Sequence, residues 1–312
     1  MSSSRTQLCD LYTYFLFGAL RVFLKQCLIV SLAMIAFAAN SVLCRLALVD
    51  GAIDAGSYTL VRIFSGAVTL LFLSVFLSSK KETGWHQGNW RSAVYLFIYA
   101  ITISYGYLGI DTGLGALILF GAVQITMILV SYFRGQALNR LEWLGTLLAF
   151  GGFIYLMLPE DIDSVAYTYE AATLMIVSGV AWGFYTLAGK GVTNPLLATS
   201  GNFLRGTILG FPLLLLLVLA LPTIISLHGI LLACASGALA SACGYAIWYV
   251  ALRGLSSLQA GVVQLTAPLL TALGGLLFIS EAITLQFVIT AALILGGVFI
   301  VLLARSRGTN PK

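Results

Sequence analysis

Charge is scarce in this chain of 312 residues. Lys and Arg number 16 and Asp and Glu 11, together 9%, against roughly 25% in ordinary soluble domains. Hydrophobic residues fill 60%, so a soluble globular fold is excluded as the main body. There are only two histidines, His86 and His228, both in expected loops. With no HExxH, no GxSxG and no paired acids inside apolar stretches, a hydrolytic membrane enzyme has nothing to work with. A Walker motif is absent too, and no soluble segment is left over to hold one, which excludes a pump driven by ATP. The five cysteines (Cys9, Cys27, Cys44, Cys234, Cys243) lack CxxC or CxxH spacing. They are expected to be small packing residues, with no metal and no cofactor. Runs of ~10 residues alternating in polarity, the mark of outer-membrane barrels, are missing as well.

What the chain has is apolar length. A hydrocarbon core of ~30 Å needs ~20 apolar residues per helix. Ten stretches meet this, at 27–49, 57–78, 92–110, 112–133, 141–158, 169–190, 198–220, 228–250, 257–279 and 283–304. The expectation is an all-α membrane protein with ten transmembrane helices. Before them "LYTYFLFGAL" (11–20) is apolar but too short to span, and no small-residue cleavage site of the usual type follows it. Residues 1–26 are therefore expected to form a leader lying on the membrane, with Arg21 and Lys25 among the headgroups.

Charge orients the spans. With the N-terminus inside, that side holds Arg5, Arg21, Lys25, Lys80, Lys81, Arg91, Arg134, Arg140, Lys190, Arg253, Arg305, Arg307 and Lys312, thirteen of the 16 basic residues. Lys and Arg retained in the cytoplasm are the established orienting signal. Both termini are expected to be cytoplasmic, in a multi-pass protein of the inner membrane. The net charge of +5 follows from this topology, so nucleic acid is not an expected partner.

The chain also repeats itself. "ILFGAVQITMI" (118–128) and "GVVQLTAPL" (261–269) share Q-x-T, with Gln124 and Gln264 140 positions apart. Arg45 matches Lys190 at 145, Arg62 matches Arg205 at 143, and Gly151 matches Gly296 at 145. Such offsets indicate duplication of a five-helix unit, 27–160 and 161–305, with 306–312 as a tail. Five is odd, so the second copy enters the membrane inverted. Inverted repeats are the architecture of many secondary transporters, which bind substrate between the repeats near the midplane.

These residues carry a resemblance. "AFAANSVLCRLAL…SYTLVRIFSGA", followed by "GVVQLTAPLLTALGGLLFISEAITLQFVITAALILGGVFIVLL", is similar to the EamA type of the drug/metabolite transporter superfamily across nearly all of the chain after residue 27. The shared features are Arg62 and Arg205 in the second helix of each copy, Pro268 in the ninth helix and Glu281 opening the tenth. In the first copy, Gln136 stands where a matching Glu is expected, and Met127-Ile128 replace a proline. The resemblance implies export or exchange of small metabolites and amino acids.

Polar side chains inside a bilayer usually face a bundle interior or water. Asn40, Gln124 and Gln264 are the deepest, and the amides suit a neutral or zwitterionic substrate. Trp182, Tyr99 and Tyr245 are the expected aromatic lining, while Tyr107 and Tyr249 are close enough to span ends for an interfacial belt. Arg62 and Arg205, one to two turns inside their helices, are expected to serve gating or structural roles, with Glu281, by bonding carbonyls at a loop or reaching the headgroups, a substrate carboxylate being the alternative for either. Pro268 is expected to form a kink or hinge. No Asp or Glu sits at mid-membrane depth, which disfavours proton-coupled extrusion of cations. The expectation is a monomer or homodimer exporting a small neutral or zwitterionic metabolite, amino acids first, by alternating access. A nucleotide-sugar or other metabolite antiporter is the alternative, and a proton-coupled drug exporter ranks below it.

Overall fold

The structure, a computed structural model, describes residues 3–77, 87–135, 139–157, 168–220, 222–279 and 285–308. Glu281 and Gln136 lie outside them. The helices are α1 (Ser3–Val49), α2 (Ala55–Leu77), α3 (Trp90–Gly106), α4 (Thr112–Phe133), α5 (Arg140–Met157), α6 (Tyr169–Gly189) and α7 (Pro195–Ala220). A rod follows, made of α8 (Leu227–Ala235), a π-helical segment (Ser236–Cys243) and α9 (Gly244–Ala251). Last come α10 (Ser257–Gln264), α11 (Thr266–Ile279) and α12 (Leu285–Gly308). Among the described residues the β structure is one isolated bridge, Ile53 to Ile225.

Apolar runs alone do not say where a helix starts; short polar caps do. Asn89 Oδ1 accepts from Ser92 N at 2.8 Å, Thr168 Oγ1 from Ala171 N and Ser226 Oγ from Gly229 N. Asn139 and Glu142 cap each other's backbone at the start of α5, and Ser256 and Gln259 do the same for α10. Each satisfies amide groups that a helix start leaves open. At the far ends of α1 and α6, Gly51 and Gly191 take positive φ of 62° and 83°, the left-handed conformation that lets the chain turn away.

Seven helices among the described residues are long and apolar enough to cross a membrane. They are Arg21–Val49, Ala55–Leu77, Thr112–Phe133, Tyr169–Gly189, Pro195–Ala220, Leu227–Gly254 and Ser257–Phe278, and the chain is a multi-pass membrane protein. The remaining three stretches of the sequence reading are shorter or more polar: α3 has 17 residues, α5 has 18, and the apolar part of α12 is Val288–Val301. The expected boundary at 26/27 is not a break, for α1 runs on without interruption, and Gln26 inside it donates to Ala251 O at 2.8 Å. No proline interrupts residues 3–49, so nothing local ends the helix there.

The most extensive helix contacts join the first five helices to the rest. The strongest is α5 with α12, followed by α3 and α4 with α6, and α2 with α7. Within α5–α12, Gly145 and Gly297 bring backbones together: a Cβ on Gly297 would lie 2.5 Å from Gly145 O, and one on Gly152 would meet Leu293 and Ile294. Of the adjacent pairs Gly151-Gly152 and Gly296-Gly297, Gly152 and Gly297 mark the crossing. Gly151 has nothing within 4 Å and Gly296 only Leu148 at 3.9 Å.

The bundle has two distinguishable ends. At one, the turn after α1 meets the segment after α7, with Asp54 N donating to Ile224 O at 2.8 Å and Ser226 N to Ala52 O at 2.9 Å. At the other, the turn after α6 meets the segment after α9, where Lys190 Nζ donates to Leu255 O at 3.0 Å and Ser257 Oγ at 3.2 Å. The 26 residues of α7 separate these ends by about 39 Å at 1.5 Å per residue. Thus α1 and α6 run in opposite directions.

Candidate functional site

The centre of the bundle holds a polar cluster drawn from α1, α2, α3, the π segment and α9. Asn40 Nδ2 donates to Tyr99 OH at 2.9 Å. Its Oδ1 accepts from Ser236 Oγ at 2.7 Å and Ser241 Oγ at 3.2 Å. Arg62 donates through Nε to Ser241 Oγ at 3.0 Å and through Nη2 to Tyr245 OH at 2.8 Å. Tyr245 and Tyr99 meet hydroxyl to hydroxyl at 3.0 Å, and the Arg62 guanidinium lies 5.3 Å from the Tyr99 ring centroid.

The π segment is what lets two serines reach one amide. Residues five apart point about 140° away from each other on an α-helix. The wider i→i+5 winding of a π-helix brings Ser236 and Ser241 onto one face. Small residues then let α2 close on it, and a Cβ on Gly237 would collide with Arg62 O. This stretch reads in the sequence as packing surface, dense in Ala, Gly and Ser. Its two serines belong to the candidate site and escape the sequence reading, because serine is common wherever helices approach closely.

Aromatic rings fill the space beside this cluster. Phe37 lies edge-on to Trp182 at 5.1 Å and to Trp248 at 5.5 Å. Trp182 lies 4.8 Å from Tyr99 and 4.5 Å from Tyr245. Phe37, with no polar atom to distinguish it, also escapes the sequence reading. Tyr107 and Tyr249, placed there as belt candidates, are 0% and 1% exposed. Tyr249 instead donates to Tyr185 O at 3.2 Å, so neither side chain reaches an interface.

The glutamines have unequal surroundings. Gln264 Oε1 accepts from the Trp182 indole N–H at 2.7 Å, and its Nε2 donates to Ala260 O at 3.0 Å. Gln124 is fully buried, and neither atom of its amide has a partner. Its Oε1 faces Gly261, where a Cβ would come within 2.6 Å, so Gln124 lies at the contact of α4 with α10, while Gln264 of α10 turns to Trp182 of α6. The inequality has a source in the repeat. Trp182 is 145 positions after Phe37, and phenylalanine offers no N–H where tryptophan does.

The arginines diverge too. Arg205 donates to Gly201 O at 3.1 Å, one turn back in its own helix, and lies over the Trp90 ring. Arg62 is 1% exposed and reaches neither headgroups nor a loop; its partners are the central hydroxyls. Pro268 sits just after the break between α10 and α11 at Leu265. A proline leaves the carbonyl four residues earlier without its N–H, here that of Gln264. Among the described residues no group of His, Cys, Asp and Glu could hold a metal.

A cation forms a latch at each of the two ends. Arg45 donates to Tyr107 O at 2.7 Å and to Asp111 Oδ1 at 3.2 Å, tying α1 to the turn between α3 and α4. Lys190, its counterpart at an offset of 145, ties α6 to the turn before α10. An apolar groove of about 610 Å³ between α2 and α7 lies outside the polar cluster, lined by Val61, Phe64, Gly210 and Phe211 among others.

Residues 170–303 match the EamA-like transporter family. A protein of Pseudomonas aeruginosa described as uncharacterized is 46% identical over 282 residues, covering 90% of this chain and 96% of its own. A protein of Archaeoglobus fulgidus described as an uncharacterized transporter is 28% identical, covering 67% and 74% respectively. A crystal structure superposes with a TM-score of 0.71 at 19% identity, over 90% of this chain and 98% of that one. At that identity the likeness is one of fold.

Proposed function

Starting from the fact that this chain belongs to the EamA-like transporter family, we propose that it is a secondary transporter exporting a small neutral or zwitterionic metabolite, amino acids first, by alternating access. Ten helices cross the inner membrane as two inverted repeats, with both termini cytoplasmic. Substrate binds at the centre, where Asn40, Tyr99, Trp182, Tyr245, Gln264 and Gln124 are brought together from both repeats. Gln124 is the natural polar contact for an incoming group, since its own amide has no protein partner. Pro268 and the break at Leu265 form the hinge.

One observation carries this reading: the polar centre is built across the two halves of the chain, Asn40, Arg62 and Tyr99 of the first bonding to Ser236, Ser241 and Tyr245 of the second. Rocking one repeat against the other would part these contacts, as alternating access requires, while the Arg45 and Lys190 latches, each formed within one repeat, travel with it. The cross-repeat contacts support it. A shift of 145 positions carries the contact of Gly152 with Ile294 onto that of Gly297 with Ala149.

The test is release from vesicles. The protein is reconstituted in vesicles loaded with amino acids, nucleotide sugars and organic cations, and efflux is followed by mass spectrometry with and without a pH gradient. Selective release of amino acids, indifferent to the gradient, is the expected result. Release of nucleotide sugars alone would replace the substrate class, and proton-dependent release of cations alone would overturn the reading.

A further inference from the structure

A guanidinium stays charged at any pH a protein meets, and burying it without an anion is costly. Arg62 is buried at 1% exposure, and among the described residues no carboxylate pairs with it. Its Nε and Nη2 are held by hydroxyl oxygens, while Nη1 has no partner. The hydroxyls themselves leave a second donor over. Tyr245 O accepts from Arg62, Tyr99 O accepts from Asn40, and the two share a single bond with each other. Two protons are available to that pair and one bond uses only one of them. Whichever tyrosine donates to the other, the remaining O–H points to no acceptor. The centre therefore carries one positive charge and two spare donors, with its carboxamide oxygen on Asn40 already taken by Ser236 and Ser241.

We infer that Arg62 and the Tyr99–Tyr245 pair form a carboxylate-binding site, and that the transported substrate is a small acid or amino acid held there by its carboxylate. This rests on the transporter reading for the word "transported", while the binding site stands on its own geometry. A carboxylate brings two oxygens and one charge, matching two donors and one guanidinium. A phosphate monoester would bring up to two charges and a third oxygen. The next buried arginine, Arg205, is engaged with Gly201 O and Trp90. The π segment follows from the same need, because it positions Ser241 to hold Nε and so fixes the plane of the guanidinium.

Binding is measured on the full chain purified in detergent, reading melting temperature and the emission of tryptophan, Trp182 being packed on both tyrosines. The probes are the proteinogenic L-amino acids, each beside its carboxamide, and UDP-glucose. At least one acid should bind about tenfold or more tightly than its carboxamide, as expected when a charged hydrogen bond is replaced by a neutral one. Arg62→Gln should erase that preference and Arg62→Lys should keep part of it, lysine being a point charge without the planar fork. Should Arg62→Gln fail to fold, Tyr245→Phe, which keeps the ring, should reduce the preference. Three results would overturn the site: no acid preferred over its amide, a preference that survives these substitutions, or binding of UDP-glucose alone. Acid binding without release from vesicles would leave the site and remove transport. Release of amides as fast as acids would do the reverse.

Discussion

Tyr99 and Tyr245 meet at 3.0 Å although 146 positions separate them in the chain. Phe37 and Trp182, 145 positions apart, also face each other, at 5.1 Å. Residues that the offset pairs in sequence are thus pressed together at the centre of the bundle. A motion that moves the repeats relative to each other must pass through these contacts, and the central rings are where a substrate would part them.

The two glutamines should respond with opposite signs. Gln264→Leu strands the Trp182 indole N–H and should cost about 1–3 kcal/mol, the usual effect of leaving a buried donor unpaired. Gln124→Leu removes an amide that has no partner, so stability should hold or rise while efflux falls. Thermal unfolding in detergent and vesicle release, measured on both variants, check this. A loss of stability of equal size in both would refute the assignment.

Ser241 and Ser236 should also differ. Ser241 receives a charged donor, Arg62 Nε, whereas Ser236 donates to the neutral amide of Asn40. Ser241→Ala is expected to lose about 1.5–3 kcal/mol and Ser236→Ala nearer 1 kcal/mol, since hydrogen bonds to charged groups are the stronger ones. The order of the two melting temperatures is the measurement.

At the α5–α12 crossing, neighbouring glycines separate structure from propensity. A Cβ on Gly152 would press on Leu293 at 2.7 Å, so Gly152→Ala should lower the melting temperature. Gly151 has open space beside it, and Gly151→Ala should be neutral or stabilising by up to ~1 kcal/mol through helix propensity. Equal effects would mean the crossing is looser than described.

The Arg45 latch can be read through its neighbour. Cys44 is fully buried, so its alkylation by a maleimide reports opening of that end in a background with the other cysteines changed to serine. Asp111 is 54% exposed in its pair with Arg45, and such pairs contribute about 0–1 kcal/mol. Asp111→Asn should leave stability and labelling nearly unchanged, because Arg45 keeps the Tyr107 carbonyl. Arg45→Gln should raise the labelling rate severalfold.

Much of the architecture was legible in the sequence because burial in lipid leaves a coarse signal. Long apolar runs separated by Asn, Ser and Thr caps mark helices such as α4 and α6 without ambiguity. Asn40, Tyr99, Tyr245 and Trp182 were found by one rule, that polar atoms inside a bilayer turn inward. That rule says nothing of which partner each meets. Distance to a span end puts Tyr107 and Tyr249 at an interface, whereas packing of Tyr107 beside Gly115 of α4 and of Tyr249 on Gly189 and Tyr185 of α6 draws them inside. Arg62 was read from its depth in α2 alone; a π turn in a helix nearly two hundred positions away is what gives it hydroxyl partners. Nothing local in "SGALASAC" announces that turn.

The preference of these helices for partners in the opposite half bears on how the protein is made. While synthesis has delivered only α1 to α5, Asn40, Arg62 and Tyr99 have none of Ser236, Ser241 or Tyr245 to bind. The early chain must carry an arginine and an amide toward lipid, or toward whatever shelters a nascent helix, until α8 and α9 arrive. Assembly is thereby deferred to the end of translation, and the last helices, not the first, complete the core.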